Sequence, residues 1–226
     1  MRGAAIWTVC SLSLCVQADA QGTHQKALDL LAKAKYVSFT VRSSTANVAL
    51  PEPTVEQPFV VGKMLLAKDG RWLWEREDGW SFLFDGRQTW RTASGTTWFE
   101  PVELRSLSGG LIDASALKAN LIGIEVFLNG RWKDMPGLQN WVAAGSTDED
   151  GKRMLLVGRP KSAGRARAVR EGDPTAGYFL QFDAQTLTPT HGWEMSSSSY
   201  DRTEVHVQYS DFRYDPVDAE ARLRRP

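Results

Sequence analysis

The residue types that do chemistry are present in this chain, but not at the spacings chemistry needs. The three histidines, His24, His191 and His206, stand far apart, with no i, i+4 pair and no carboxylate at ligand spacing. Surface histidine is the expected role of each, and no metal site is expected. Ser196–Ser199 lacks the flanking glycines of a nucleophile elbow, and Gly109-Gly110 lacks the lysine and spacing of a phosphate loop. Asp148, Glu149 and Asp150 precede Gly151 and fit a solvated hairpin tip better than a calcium loop. Arg165, Arg167 and Arg170 alternate with small residues, which suits an exposed loop more than a phosphate clamp. No catalytic constellation forms, so neither an enzyme activity nor a cofactor is expected.

What the chain holds in quantity is aromatic and apolar surface. Gly62–Thr92 reads as four short strands punctuated by Asp69-Gly70, Asp78-Gly79 and Asp85-Gly86, each a strong hairpin signal between apolar runs. Trp72 and Trp74 share one face of a strand, and Phe82 and Phe84 share one face of the next. Large apolar groups also point the other way, with Leu65 between Met64 and Leu66, and Leu83 between Phe82 and Phe84. A sheet with a greasy cavity on one side and a covering layer on the other requires this. Leu65, Trp72, Trp74, Phe82, Phe84 and Trp90 are the candidate cavity positions, and which parity faces inward stays open at this stage.

Composition narrows the partners. Lysine plus arginine and aspartate plus glutamate are 27 each, so no net field draws the chain to nucleic acid or to an anionic membrane surface. Residues 1–20 read as a secretory signal: Arg2, an apolar stretch from Ala4 to Val16, and Ala18-Asp19-Ala20 as a cleavage site. The apolar stretch is too short to span a bilayer. Both cysteines, Cys10 and Cys15, fall inside the signal, so the mature chain is expected to carry no disulfide and no thiol nucleophile.

The elements expected to position these residues follow in order. Thr23–Lys35 has a helical stripe of Ala27, Leu28, Leu31, Ala32 and Ala34. Tyr36–Arg42 alternates as a half-buried strand. Ser43–Pro58, with Pro51, Pro53 and Pro58, reads as a loop. Beyond the meander come a short strand at Thr96–Glu100 and a helical region from Asp113 to Leu128. A helix to Asn120 followed by a strand from Ile122 to Leu128 is the competing reading of that region. Strands follow at Asn140–Ala144, Arg153–Gly158, Gly177–Asp183, Thr190–Ser196 and Thr203–Phe212, and Lys161–Arg170 reads as an exposed loop. With no βαβ rhythm and no repeat, the expected class is α+β, mainly antiparallel β. One domain over residues 21–226 forms an incomplete, half-open β-barrel with an α-helical lid.

The block Gly62-Lys-Met-Leu-Leu-Ala-Lys68, Arg71-Trp72-Leu-Trp74-Glu75 and Phe84-Asp85-Gly86-Arg87-Gln88-Thr89-Trp90 resembles the periplasmic lipoprotein carrier family LolA. Phe182-Asp183, Asp201-Arg202-Thr203 and Val217-Asp218-Ala219 are similar in layout. The resemblance implies a periplasmic carrier whose cavity shields the acyl chains of an acylated lipoprotein. Such a carrier receives its cargo from an inner-membrane transporter and passes it to an outer-membrane acceptor. It also implies a lid latch at Lys68, where the family has an arginine followed by proline; lysine offers a point charge instead of a planar fork. Arg222 and Arg224 replace phenylalanines of the family, and its extra C-terminal strand is absent, so the C-terminus is expected to pack differently. A sensor or interaction module built on the same barrel is the alternative function.

The signal reading has a direct check. Intact mass of the exported protein should correspond to a chain starting at Gln21, and a mass carrying acyl groups on Cys15 would overturn it.

Overall fold

The computed structural model describes residues 22–47, 54–55, 60–93, 100–102, 121, 124, 141–173, 175–197 and 202–224. A helix, α1, occupies residues 22–33. Strands follow at Tyr36–Asn47 (β1), Thr54–Val55 (β2), Val60–Ala67 (β3), Trp72–Arg76 (β4), Ser81–Phe84 (β5), Thr89–Thr92 (β6) and Glu100–Val102 (β7). Next come Val142–Glu149 (β8) and Lys152–Pro160 (β9), a 3-10 turn at Ala163–Arg165 and a short helix, α2, at Ala166–Arg170. Gly177–Asp183 (β10), Pro189–Ser197 (β11), Arg202–Tyr214 (β12) and a last helical turn, α3, at Ala219–Arg222 complete the described chain.

All these strands belong to one antiparallel sheet in the order β7-β6-β5-β4-β3-β1-β12-β11-β10-β9-β8, with β2 paired to the far end of β1. The two terminal strands of this order, β7 and β8, do not pair among the described residues, so the barrel is open. The long strands β1 and β12 join its two arms, from Val37 opposite Tyr214 to Asn47 opposite Thr203. An extra residue in β12 near Asp211, whose φ is 52°, resets the alternation, so that Val205, Val207 and Tyr209 share a face with Phe212 and Tyr214.

Helix α1 lies on the inner face. Its Ala27, Leu28 and Leu31, with Ala34 just beyond it, are buried in one cluster with Val37, Phe39 and Val41 of β1 and with residues of both arms. The outer face carries two smaller covers. On the β3–β6 arm, Ala219 and Leu223 of the C-terminal segment close over Leu65, Leu73, Leu83 and Trp90. On the β8–β11 arm, Val169 of α2 packs with Ala176 and Phe179, and Phe179 stacks on Trp193 at 5.6 Å.

Several expectations need correction. Ser43–Asn47 is not loop but the second half of β1, paired with β12 on one side and with β3 and β2 on the other. The prolines that suggested a loop lie at 51, 53 and 58, too far along to interrupt it. Lys161–Arg170 is not a bare loop either, because a five-residue helix with one apolar anchor, Val169, has too few turns to show periodicity. His24 is 3 % exposed, not a surface residue. The signal segment and nearly all of Asp113–Leu128 lie outside the described residues; Leu121 and Ile124 are described and fully buried.

Gly62 marks the tightest place in the sheet. It sits opposite Arg76 with φ of 147°, and a Cβ there would collide with the Glu75 carbonyl oxygen. Gly62→Ala should therefore destabilise the protein by about 2–3 kcal/mol, read as a lower urea midpoint.

Candidate functional site: the covered inner face

The candidate site begins with cross-strand pairing. In β4 and β5, Trp72 faces Phe84 and Trp74 faces Phe82, with ring centroids 6.1 and 6.0 Å apart. Neighbouring strands add Met64 and Leu66, and the far arm adds Leu155, Val157, Leu180 and Phe182. These side chains form one continuous apolar surface with Phe39, Tyr209 and Phe212, the latter two in contact with Phe39 at 5.3 Å. Four of the six sequence candidates, Trp72, Trp74, Phe82 and Phe84, meet there.

The other two do not. Leu65 pairs with Leu73, Leu73 with Leu83 and Leu83 with Trp90, which makes a transverse row on the outer face. Period-two geometry forces this separation once Met64 and Leu66 point inward. Trp90 also donates its indole N–H to Asp85 (3.0 Å), which ties it to its own hairpin.

The inner face is covered, and the cover is a helix, not a second sheet. Polar contacts hold α1 at its ends. Lys68 Nζ donates to the Ala32 carbonyl oxygen (3.0 Å) in the last turn, so Lys68 does reach the helix. The backbone N–H groups of Lys35 and Tyr36 donate to Asp215 Oδ1 at 2.7 and 2.8 Å, fixing the junction of α1 with β1. At the other end, His24 Nε2 bonds the Gly145 carbonyl oxygen (2.8 Å) of edge strand β8. Sequence reasoning missed His24 because its partner lies 121 positions away and is a backbone atom.

Among the described residues, three buried side-chain polar atoms find no partner: Ser43 Oγ, Trp74 Nε1 and Trp141 Nε1. Trp74 and Trp141 belong to the inner cluster, and Ser43 continues the inward series Val37, Phe39, Val41 along β1. Each unpaired buried donor costs about 1–3 kcal/mol, so three on one surface require an explanation. A groove of about 350 Å³ also opens on the sheet, bordered by Ser38, Thr40, Lys63, Asp211, Arg213 and Arg222. Its charged walls are unlike an acyl pocket. Among the described residues no three His, Cys, Asp or Glu side chains gather as metal ligands, and no helix is long and apolar enough to cross a membrane.

The outer cover is held by charge. Glu220 accepts from Arg71 Nη2 (2.9 Å) and Nη1 (3.2 Å) and from the Tyr36 hydroxyl (2.6 Å). Arg222 donates to Glu75 (2.8 Å). Arg222 thus binds the segment down by an ion pair. The hydrogen bonds from Arg71 and then Tyr36 hold the Glu220 carboxyl down at about 2. The same contact with Glu220 raises the Tyr36 hydroxyl above its ordinary range.

No family model matches the chain, and no curated protein matches its sequence. Solved structures resemble it in fold at low identity. The lipoprotein LppX of Mycobacterium tuberculosis is 11% identical over 89% of this chain and 98% of that one, with a TM-score of 0.40. LprF of Mycobacterium bovis is 13% identical over 86% and 93%, at 0.43. A LolA superfamily protein of Nitrosomonas europaea is 12% identical over 84% and 92%, at 0.30. Likenesses at this level carry no inference about activity.

The Glu220 contacts make a signed prediction. A carboxyl whose folded value is depressed contributes stability above its ordinary value of 4.5, and that contribution fades as pH falls toward about 2. Glu220→Gln should lower Tm at pH 7, and the gap from the unaltered protein should close between pH 4.5 and 2. A gap that does not depend on pH would show that the carboxylate charge does not hold the segment.

Proposed function

We propose that this chain is a non-catalytic periplasmic protein that binds acyl chains on the inner face of its open barrel. On this reading it carries acylated cargo, lipoproteins foremost, between an inner-membrane transporter and an outer-membrane acceptor. The observation that supports it best is the inner face itself. It is a continuous aromatic and aliphatic surface closed by a helix that a few polar contacts hold at its ends.

The physical need is large. Each methylene withdrawn from water is worth about 0.8 kcal/mol, so an acyl chain of ordinary length needs a shield worth on the order of 10 kcal/mol. Trp72, Trp74, Phe82 and Phe84 offer rigid apolar area at little entropic cost. When α1 turns aside, hydrocarbon replaces hydrocarbon against these rings, so the exchange is close to balanced and handover is not blocked. Lys68 would act as a latch by holding the helix C-terminus while the site is empty.

Purified mature protein titrated with a pyrene-labelled fatty acid should show saturable binding that unlabelled palmitate reverses; a flat titration would end the carrier reading. Lys68→Met removes the hydrogen bond to Ala32 and enlarges the open population. It should tighten apparent binding by about 2–10-fold, the range expected for one hydrogen bond acting through the competent fraction.

A further inference from the structure

Ser43, Trp74 and Trp141 offer hydrogen bonds that nothing in the protein accepts. Trp74 is 1 % exposed, Trp141 6 % and Ser43 fully buried. They come from different parts of the sheet: Ser43 from central β1, Trp74 from β4, and Trp141 from the residue just before edge strand β8. Trp74 and Trp141 belong to the inner cluster on opposite arms of the sheet, and Ser43 continues the inward series of β1 between them. An ordered water needs two to four polar partners, and the side chains clustered with Trp74 and Trp141 are mostly aliphatic and aromatic.

The two indole rings are fixed from their π faces. Arg76 lies 5.4 Å from the Trp74 ring centroid and Arg159 lies 5.7 Å from that of Trp141. The first guanidinium is paired with Asp78, and the second also lies over Tyr178 at 4.5 Å. The indole N–H groups themselves are neutral donors. Such donors suit a neutral acceptor. A carboxylate would lose its hydration among buried apolar side chains, whereas an ester carbonyl needs only the donor.

We propose that Trp74 and Trp141 are ester-reading residues, their indole N–H groups donating to the acyl carbonyls of a neutral glycerol diester, with the Ser43 hydroxyl as a further donor in the same space. This rests on the acyl-binding reading above and narrows its ligand to an ester-linked, multi-chain lipid group in preference to a free fatty acid or an ether lipid. The donors on opposite arms account for two chains: each carbonyl is held on its own wall while the hydrocarbon fills the apolar centre.

The test uses the full mature chain, with the pyrene-labelled fatty acid displaced by dipalmitoylglycerol, by its dihexadecyl ether analogue or by palmitate. The diester should displace the probe at roughly 10–100-fold lower concentration than the diether, the ratio that two recovered hydrogen bonds set. In the Trp74→Phe, Trp141→Phe protein that ratio should fall toward one. A readout without substitution guards against misfolding: with ¹⁵N-labelled protein, two indole N–H resonances should move downfield with the diester and not with the diether. Equal displacement by ester and ether, or unmoved indole signals, overturns the donor assignment and leaves acyl binding standing. Failure of every one of these lipids to bind overturns both.

Discussion

An antiparallel sheet with large apolar side chains on both faces has to be covered twice. That constraint governs the rest of this molecule. In β3 to β6 the inward row runs through Met64, Trp74 and Phe82 while the outward row runs through Leu65, Leu73, Leu83 and Trp90. Neither row can meet water at acceptable cost, since each buried large side chain is worth about 1.5–3 kcal/mol. The fold answers with α1 on the inside and with the C-terminal segment and α2 on the outside.

Much of this was legible in the chain because it is local. Period-two alternation marked the strands, and the Asp-Gly pairs marked their turns; Asp85 accepts from the N–H groups of Arg87 and Gln88, and Gly86 takes the φ of 95° that such turns need. Trp72 with Trp74, and Phe82 with Phe84, share a strand face for the same reason, and all four lie in the inner cluster. What was hidden depends on partners remote in sequence. Leu65 and Trp90 look identical to the inner candidates until the helix shows which parity is inside. Glu220 reads as one more surface acid, although it joins Arg71 and Tyr36 across 149 and 184 positions. Trp141 carried no signal of its own, because an unpaired indole N–H exists only in three dimensions.

The outer and inner covers differ in kind. The outer C-terminal segment is bound by Ala219 and Leu223 in the apolar row and by two arginine–glutamate contacts around it, Arg71–Glu220 and Arg222–Glu75. Exposed ion pairs contribute little singly, but here they ring a buried apolar contact and orient it. The inner cover has the apolar stripe of α1 against a surface that other hydrocarbon could equally occupy. Polar contacts to the sheet hold it at both ends.

Those end contacts set the way such a cover can move. The C-terminal end of α1 is tied to the β3–β4 turn through Lys68 and to the end of β12 through Asp215. The N-terminal end is tied through His24 to β8, at the opposite limit of the sheet. A helix of this length spans about 18 Å, so α1 acts as a strut between the two arms as well as a cover. The Asp215 junction is a double backbone contact reinforced by the pairing of β1 with β12, whereas the His24 bond goes to an edge strand beside a register shift between Ala143 and Gly145. On the carrier reading, release of the end of α1 that lies at this edge lets the arms separate where the sheet is already unpaired, and uncovers the Trp72–Phe84 and Trp74–Phe82 rings while β1, β12 and the outer covers stay in place.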